Sequence, residues 1–130
     1  MNVDGTFPTR LTTIPGGVLD PVWSPDGTKI AFVTNRHGNA EIEMMTSDGA
    51  TILRLTTNNA LDGSPVWSAD SSKIAFVSGR DGNDEIYVMD YFGQVQTRIT
   101  ANSAWDDAPA WSPDGTRLGF RSLRSGFGNW

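Results

Sequence analysis

Trp23, Trp67 and Trp111 stand at a constant spacing of 44 residues, each opening a copy of one phrase: "WSPDGT" at 23–28, "WSADSS" at 67–72 and "WSPDGT" at 111–116. A fixed period in the forties marks a repeat protein, in which each unit buries its apolar faces against its neighbours rather than within itself. Laid over one another without a gap, residues 23–56 and 67–100 are identical at about half of their positions. These include "KIAFV" in both and the pairs Arg36/Arg80, Gly38/Gly82, Asn39/Asn83, Glu41/Glu85, Ile42/Ile86 and Gly49/Gly93. The units run over about 18–56, 62–100 and 106–130, preceded by a partial one at 1–12, and all 130 residues are expected to form one domain.

Within a unit the apolar pattern has the period of strands. "PVWS", "KIAFVS", "DEIYVMD" and "QTRIT" are short segments rich in β-branched and aromatic residues, parted by the turn sequences "PDG", "GRDGN" and "YFGQ". No stretch of helical period appears, and Gly and Pro would interrupt one. The chain is therefore read as all-β, with four antiparallel strands per unit, A to D. Four strands repeated every forty-odd residues make a β-propeller blade. The Trp of each phrase is expected to pack between adjacent blades, and Pro-Asp-Gly to form the A–B hairpin. In the second copy Ala69 and Ser71 replace Pro25 and Gly27, which predicts a looser turn there.

"DGSPVWSADSSKIAFVSGRDGNDEIYVMD" and "PVWSPDGTKIAFVTNRHGNAEIEMM" resemble the WD-like repeat of TolB-type β-propellers. The resemblance covers nearly the whole chain and implies six blades in a ring. It is specific for fold and not for activity, because similar blades occur in periplasmic Tol-system proteins and in the gating domains of oligopeptidases and tricorn-like proteases.

The opening "MNVDGTFPTRLT" aligns with the close of a unit, Met1 with Met45 and Met89, Gly5 with Gly49 and Gly93, Leu11 with Leu55 and Ile99. It is read as an orphan strand D, and the chain stops near the start of a third strand C, giving about eleven strands. Three blades are too few for a ring. The expectation is that two chains join head to tail into a six-bladed homodimer, with Leu11, Phe127 and Trp130 at the subunit junction and the orphan strand pairing in trans. The competing reading is a minimal or excised propeller fragment with no activity of its own.

A formal net charge of −5 offers no basic surface for nucleic acid, and runs such as "KIAFV" are far too short for a helix to cross a bilayer. Nucleic acid and membrane insertion are not expected. The absence of cysteine removes disulfides and thiol catalysis. No basic region followed by an apolar stretch opens the chain, so the compartment is left open between cytoplasm and, for a mature or excised piece, periplasm.

In a propeller the D–A and B–C loops gather around one mouth of the channel. They hold the candidate partner-binding residues Trp105, Asp106, Asp107, Asp62, Arg36, Arg80 and Arg124. One reading is a polar rim for a protein or peptide. The other is structural, in which the recurring aspartates bond loop backbone and pair with the recurring arginines to lock blade to blade. Trp105 has no counterpart of like character in the other units, which favours a specific contact. Carboxylates such as Asp106 and Asp107, repeated around a ring, could bind Ca²⁺ through oxygen ligands, but "DGNDE" lacks the longer alternating ligand loop of an EF-hand and is more simply a turn followed by a strand, so no metal and no cofactor are expected. His37 is the single histidine, its equivalents are Asp81 and Ser125, and no GxSxG, HExxH or phosphate loop is present. The chain is read as a non-enzymatic binding or scaffold module, with a hydrolase or lyase using rim carboxylates as a second alternative.

Overall fold

The computed structural model of the protein describes residues 3–124. Phe127 and Trp130 lie outside them. Ten strands form three antiparallel sheets: β1 (Leu19–Trp23), β2 (Lys29–Thr34), β3 (Glu41–Thr46) and β4 (Ile52–Arg54) in the first, and β5 (Asp62–Trp67), β6 (Lys73–Ser78), β7 (Glu85–Asp90) and β8 (Thr97–Arg98) in the second. β9 (Asp106–Trp111) and β10 (Leu118–Ser122) make the third. Each sheet is ordered as its strands occur in the sequence, and no helix is present among the described residues.

The "KIAFV" strands are buried on both faces because each blade is a filling between two neighbours. In β2 the pleat sends Ala31 and Val33 toward the second blade, into a cluster with Trp67, Ile74, Phe76 and Met89, while Ile30 and Phe32 face the other way with Met45. That far side is covered by the chain's own Leu11, Ile14 and Val18.

The repeated tryptophan seals each blade to the one before it. Trp67 Nε1 donates to Val22 O at 3.1 Å and Trp111 Nε1 to Val66 O at 3.3 Å. Backbone bonds repeat the same step, from Asp62 N to Ala40 O at 2.9 Å and from Asp106 N to Asp84 O at 2.8 Å.

In the single chain the segment before β1 forms no strand within residues 3–12, since the strand expected to pair with it belongs to a second copy and an isolated strand has no ladder to join. Leu11 nevertheless occupies the strand D station within its own chain, its carbonyl against Gly49 as Leu55's is against Gly93. One expectation is corrected: the turn at Ala69 and Ser71 is not looser. Ser71 takes φ 62°, beside 71° at Gly27 and Gly115, and its N–H closes on Ser68 O at 2.9 Å as Gly27 N–H closes on Ser24 O at 2.8 Å. A clamp common to all three copies sets this shape: Asp26, Asp70 and Asp114 accept from the serine two before and the hydroxyl residue two after. The Ser71 hydroxyl also accepts from Asp26 N–H at 3.0 Å, a bond between blades that glycine cannot make.

These clamps give a first pH prediction. The serine hydroxyl, with the hydroxyl and N–H of the residue two after the aspartate, lowers the carboxyls of Asp26, Asp70 and Asp114 from 3.8 to about 2. A carboxyl more acidic in the folded than in the unfolded chain stabilises the fold fully above about pH 4, and the contribution is lost as pH falls toward 2. Melting temperatures recorded from pH 5 to 2 should fall across that window, and the triple Asp→Asn variant at 26, 70 and 114 should flatten the fall.

Candidate functional site

The D–A and B–C loops do share one rim. Asn39 Nδ2 in the first B–C loop donates to Ala60 O at 2.5 Å and Asn58 O at 3.1 Å in the following D–A loop, and Asn83 does the same to Ala104 O at 2.6 Å and Asn102 O at 3.2 Å. Beneath the rim lies a network that recurs with the repeat. Glu41 is fully buried and accepts from Asn39, Arg54 and Thr56, and Glu85 from Asn83, Arg98 and Thr100. Burial alone would raise the Glu85 carboxyl. The Thr100 hydroxyl, the Asn102 N–H, Arg98 and Asn83 outweigh it and hold the group below the ordinary carboxylate range. Sequence reasoning named Asn39/Asn83 and Glu41/Glu85 as repeats without seeing this function. The signal was available, because Arg54/Arg98 and Thr56/Thr100 recur at the same offset.

The candidate arginines and aspartates divide between two arrangements. Asp62 and Asp106 are fully buried at the starts of β5 and β9. Asp62 accepts from Asn58 and pairs with Arg80 at 3.4 Å, and Asp106 accepts from Asn102 and pairs with Arg124 at 3.0 Å. Each ion pair joins a strand A to the B–C loop of its own blade. The expected lock between blades is made by backbone and asparagine amides instead. Asp107 pairs with Arg121 on the neighbouring strand.

Arg36 differs, because Val18 stands one repeat before Asp62 and gives it no aspartate. It turns to buried Glu43, which also meets His37 Nε2 at 2.7 Å. One repeat later Tyr87 replaces Glu43 and Asp81 replaces His37. Tyr87 donates to Asp81, and the Arg80 guanidinium lies 4.5 Å over the Tyr87 ring. Burial and the Asp81 carboxylate push the Tyr87 hydroxyl up to about 12, so it stays a donor at any physiological pH.

Trp105 is 61% exposed, and Leu61, one repeat earlier, is 66% exposed. The expectation that Trp105 lacks a counterpart of like character is therefore corrected: both are exposed apolar side chains at the same rim station. They border a cavity of about 410 Å³ that also includes Gly79, Asn83 and Asp84. A neighbouring cavity of about 280 Å³ shares Leu61 and Asp84 and reaches Asp20, Ser64 and Val33. Asp20 and Ser64 sit at bulges in β1 and β5 with φ of 48° and 52°.

A third concavity, of about 520 Å³, opens on the far face of the first blade and is lined by Leu11, Ile14, Pro21, Trp23 and Met45, among others. Trp23 is 56% exposed there. It has no equivalent of the carbonyl that receives each later tryptophan.

Known proteins share these features. The chain is 49% identical over 39 residues to a TolB homologue of Chlorobium luteolum, a match covering 30% of this chain and 9% of that protein. The crystal structure of TolB from Acinetobacter baumannii superposes with a TM-score of 0.85 at 31% identity, covering 97% of this chain and 32% of that one. The tricorn protease structure superposes over 85% of this chain and 11% of its own at 23% identity and a TM-score of 0.70, a likeness of fold alone. The chain thus spans about a third or less of each of these three proteins. The family model of the TolB beta propeller domain matches twice, over residues 1–84 and 59–129. With blades, inter-blade tryptophans and rim network all returning every 44 residues, the chain belongs to the TolB β-propeller domain family.

Proposed function

We propose that the chain is a non-enzymatic binding and scaffold module, a half-propeller that joins a second copy in a six-bladed ring and presents its rim to a protein or peptide. The observation that carries this reading is the part of the first blade's far face around Trp23, which Leu11, Ile14 and Val18 leave uncovered. Trp67 and Trp111 each bury against a preceding blade and hand their N–H to its strand A, whereas Trp23 offers the same indole to solvent above an apolar concavity. An exposed face shaped for a blade is completed by a blade. Counted along the repeat, the carbonyl that matches Val22 and Val66 is that of Ala110 in the third blade. A second copy carries one.

The alternative in which the rim carboxylates Asp62 and Asp106 do acid–base chemistry is disfavoured by their engagement. Asp62 and Asp106 are buried and neutralised by arginine, and the single histidine is tied to Glu43. Groups held this way anchor loops rather than exchange protons with a substrate.

Light scattering during size exclusion tests the assembly. A species of twice the chain mass is expected, and Trp23→Arg should return it to the single mass while the β-sheet circular dichroism persists. A wild-type protein that stays at the single mass across the accessible concentration range would overturn the homodimer and identify the chain as part of a longer propeller, whose further blades cover Trp23.

A further inference from the structure

Fifteen carboxylates are present in the chain, all within the described residues. Those of Asp4, Asp26, Asp48, Asp70, Asp90 and Asp114 are held by hydroxyls or N–H groups of their own turns. Glu41, Glu43, Glu85, Asp62, Asp81, Asp106 and Asp107 pair with arginines. Asp20 and Asp84 alone have no side-chain hydrogen bond or ion pair among the described residues, and both line the same cavity of about 280 Å³.

That cavity adjoins the one bounded by Trp105, and Leu61 and Asp84 line both. Together they form a trough whose walls include Val33, Val77, Leu61 and Trp105 and which no lysine or arginine lines. The rim arginines are engaged elsewhere, Arg80 by Asp62, Gln96 and the Tyr87 ring and Arg36 by Glu43. The bulge in β1 turns Asp20 out of the regular strand alternation and sets it beside Ser64 at the cavity. The trough therefore combines exposed apolar surface, Leu61 and Trp105, with two carboxylates that no cation neutralises, Asp84 shared by both cavities and Asp20 in the second. This is the complement of a cation carried on an apolar neighbour.

We propose that the trough docks an extended polypeptide segment in which a lysine or arginine stands next to an aliphatic or aromatic residue. The cationic head lies between Asp20 and Asp84, and the apolar side chain rests on Leu61 and Trp105. The proposal builds on the reading of the rim as a binding surface and gives that surface its ligand chemistry.

A random octapeptide display library selected on the full chain tests it. Wild type, Asp20→Asn/Asp84→Asn and Trp105→Ala would be compared, each first checked for an unchanged melting temperature. Wild type should enrich sequences with a basic residue beside an apolar one. A synthetic peptide of the enriched consensus should bind the double variant on the order of tenfold more weakly, and its affinity for wild type should fall as salt rises.

Enrichment of acidic or uncharged sequences, or equal affinity for the double variant, would overturn the trough while leaving a binding rim elsewhere. No enrichment on any form would overturn both readings. A double variant that changes its mass in solution instead of its peptide affinity would assign the trough to contact between copies, which also overturns the proposal.

Discussion

Replacing Glu85 with alanine should destabilise the protein by about 3 kcal/mol and lower its melting temperature by roughly 10 °C. The side chain is fully buried and receives the Thr100 hydroxyl, Arg98, the Asn83 amide and the Asn102 N–H. Its removal takes the acceptor from the Thr100 hydroxyl and the Asn102 N–H in a site too closed for water to replace the carboxylate freely, while Asn83 keeps Ala104 O and Asn102 O. Arg98 keeps Thr100 O at 2.7 Å and is partly exposed, which places the loss at the low end of the range for a broken buried pair. Glu85→Gln retains acceptor capacity and should lose about half as much. Urea unfolding followed by circular dichroism separates the two. Equal stability of wild type and Glu85→Ala would show that the network contributes nothing net.

The second large effect comes from a pair of glycines that differ only in what they touch. A Cβ on Gly93 would lie 2.6 Å from Leu55 O and 2.8 Å from Leu55 Cα, and one on Gly49 would lie 2.6 Å from Leu11 O with its next neighbour at 3.4 Å. Both glycines are left-handed, at φ +79° and +72°. Leu55 is buried in the core between the blades and bonded through its N–H to Ile42 O at 2.9 Å, so it cannot retreat. Leu11 belongs to a segment without strand pairing and can. Gly93→Ala is expected to cost roughly 3–4 kcal/mol, combining backbone strain with overpacking, and Gly49→Ala about 1–2 kcal/mol from the backbone alone. Chemical denaturation of the two variants side by side measures the difference. Equal losses would mean that the N-terminal segment is held as firmly as a strand.

How much of this was legible in the residues depends on how local each determinant is. The strands from β1 onward and the positions of their turns could be read directly, because alternation and turn chemistry are properties of a few adjacent residues, whereas the shape of the Ala69–Ser71 turn follows from the Asp70 clamp rather than from the missing Pro and Gly. The segment before β1 is different, because a strand exists only as one side of a ladder. Its sequence aligned with strand D, and Leu11 does sit at that station, but the hydrogen-bonding partner that would complete it is not beside it. At the rim, recurrence identified Asp62, Asp106 and the arginines as anchors, yet Arg36 chose Glu43 because Val18 leaves no aspartate to meet it. That choice could have been read by stepping back 44 residues. An indole and a leucine look unlike in sequence, yet the rim exposes Leu61 at the station of Trp105. The isolation of Asp20 and Asp84 was beyond sequence reasoning, since a missing partner is visible only when every other carboxylate has been placed.

The clamp at the A–B turns has a consequence for descent. Ser71 holds the left-handed path that Gly27 and Gly115 hold, so proline and glycine ease this corner without defining it; the aspartate and its two hydroxyls do. A corner drawn by side chains that return in every copy is a natural splice point. Cut at one clamp and joined at the next, a gene would gain or lose a whole unit with strand pairing, tryptophan seat and rim network still in phase. Lineages of such proteins can thus change blade number by recombination in single steps.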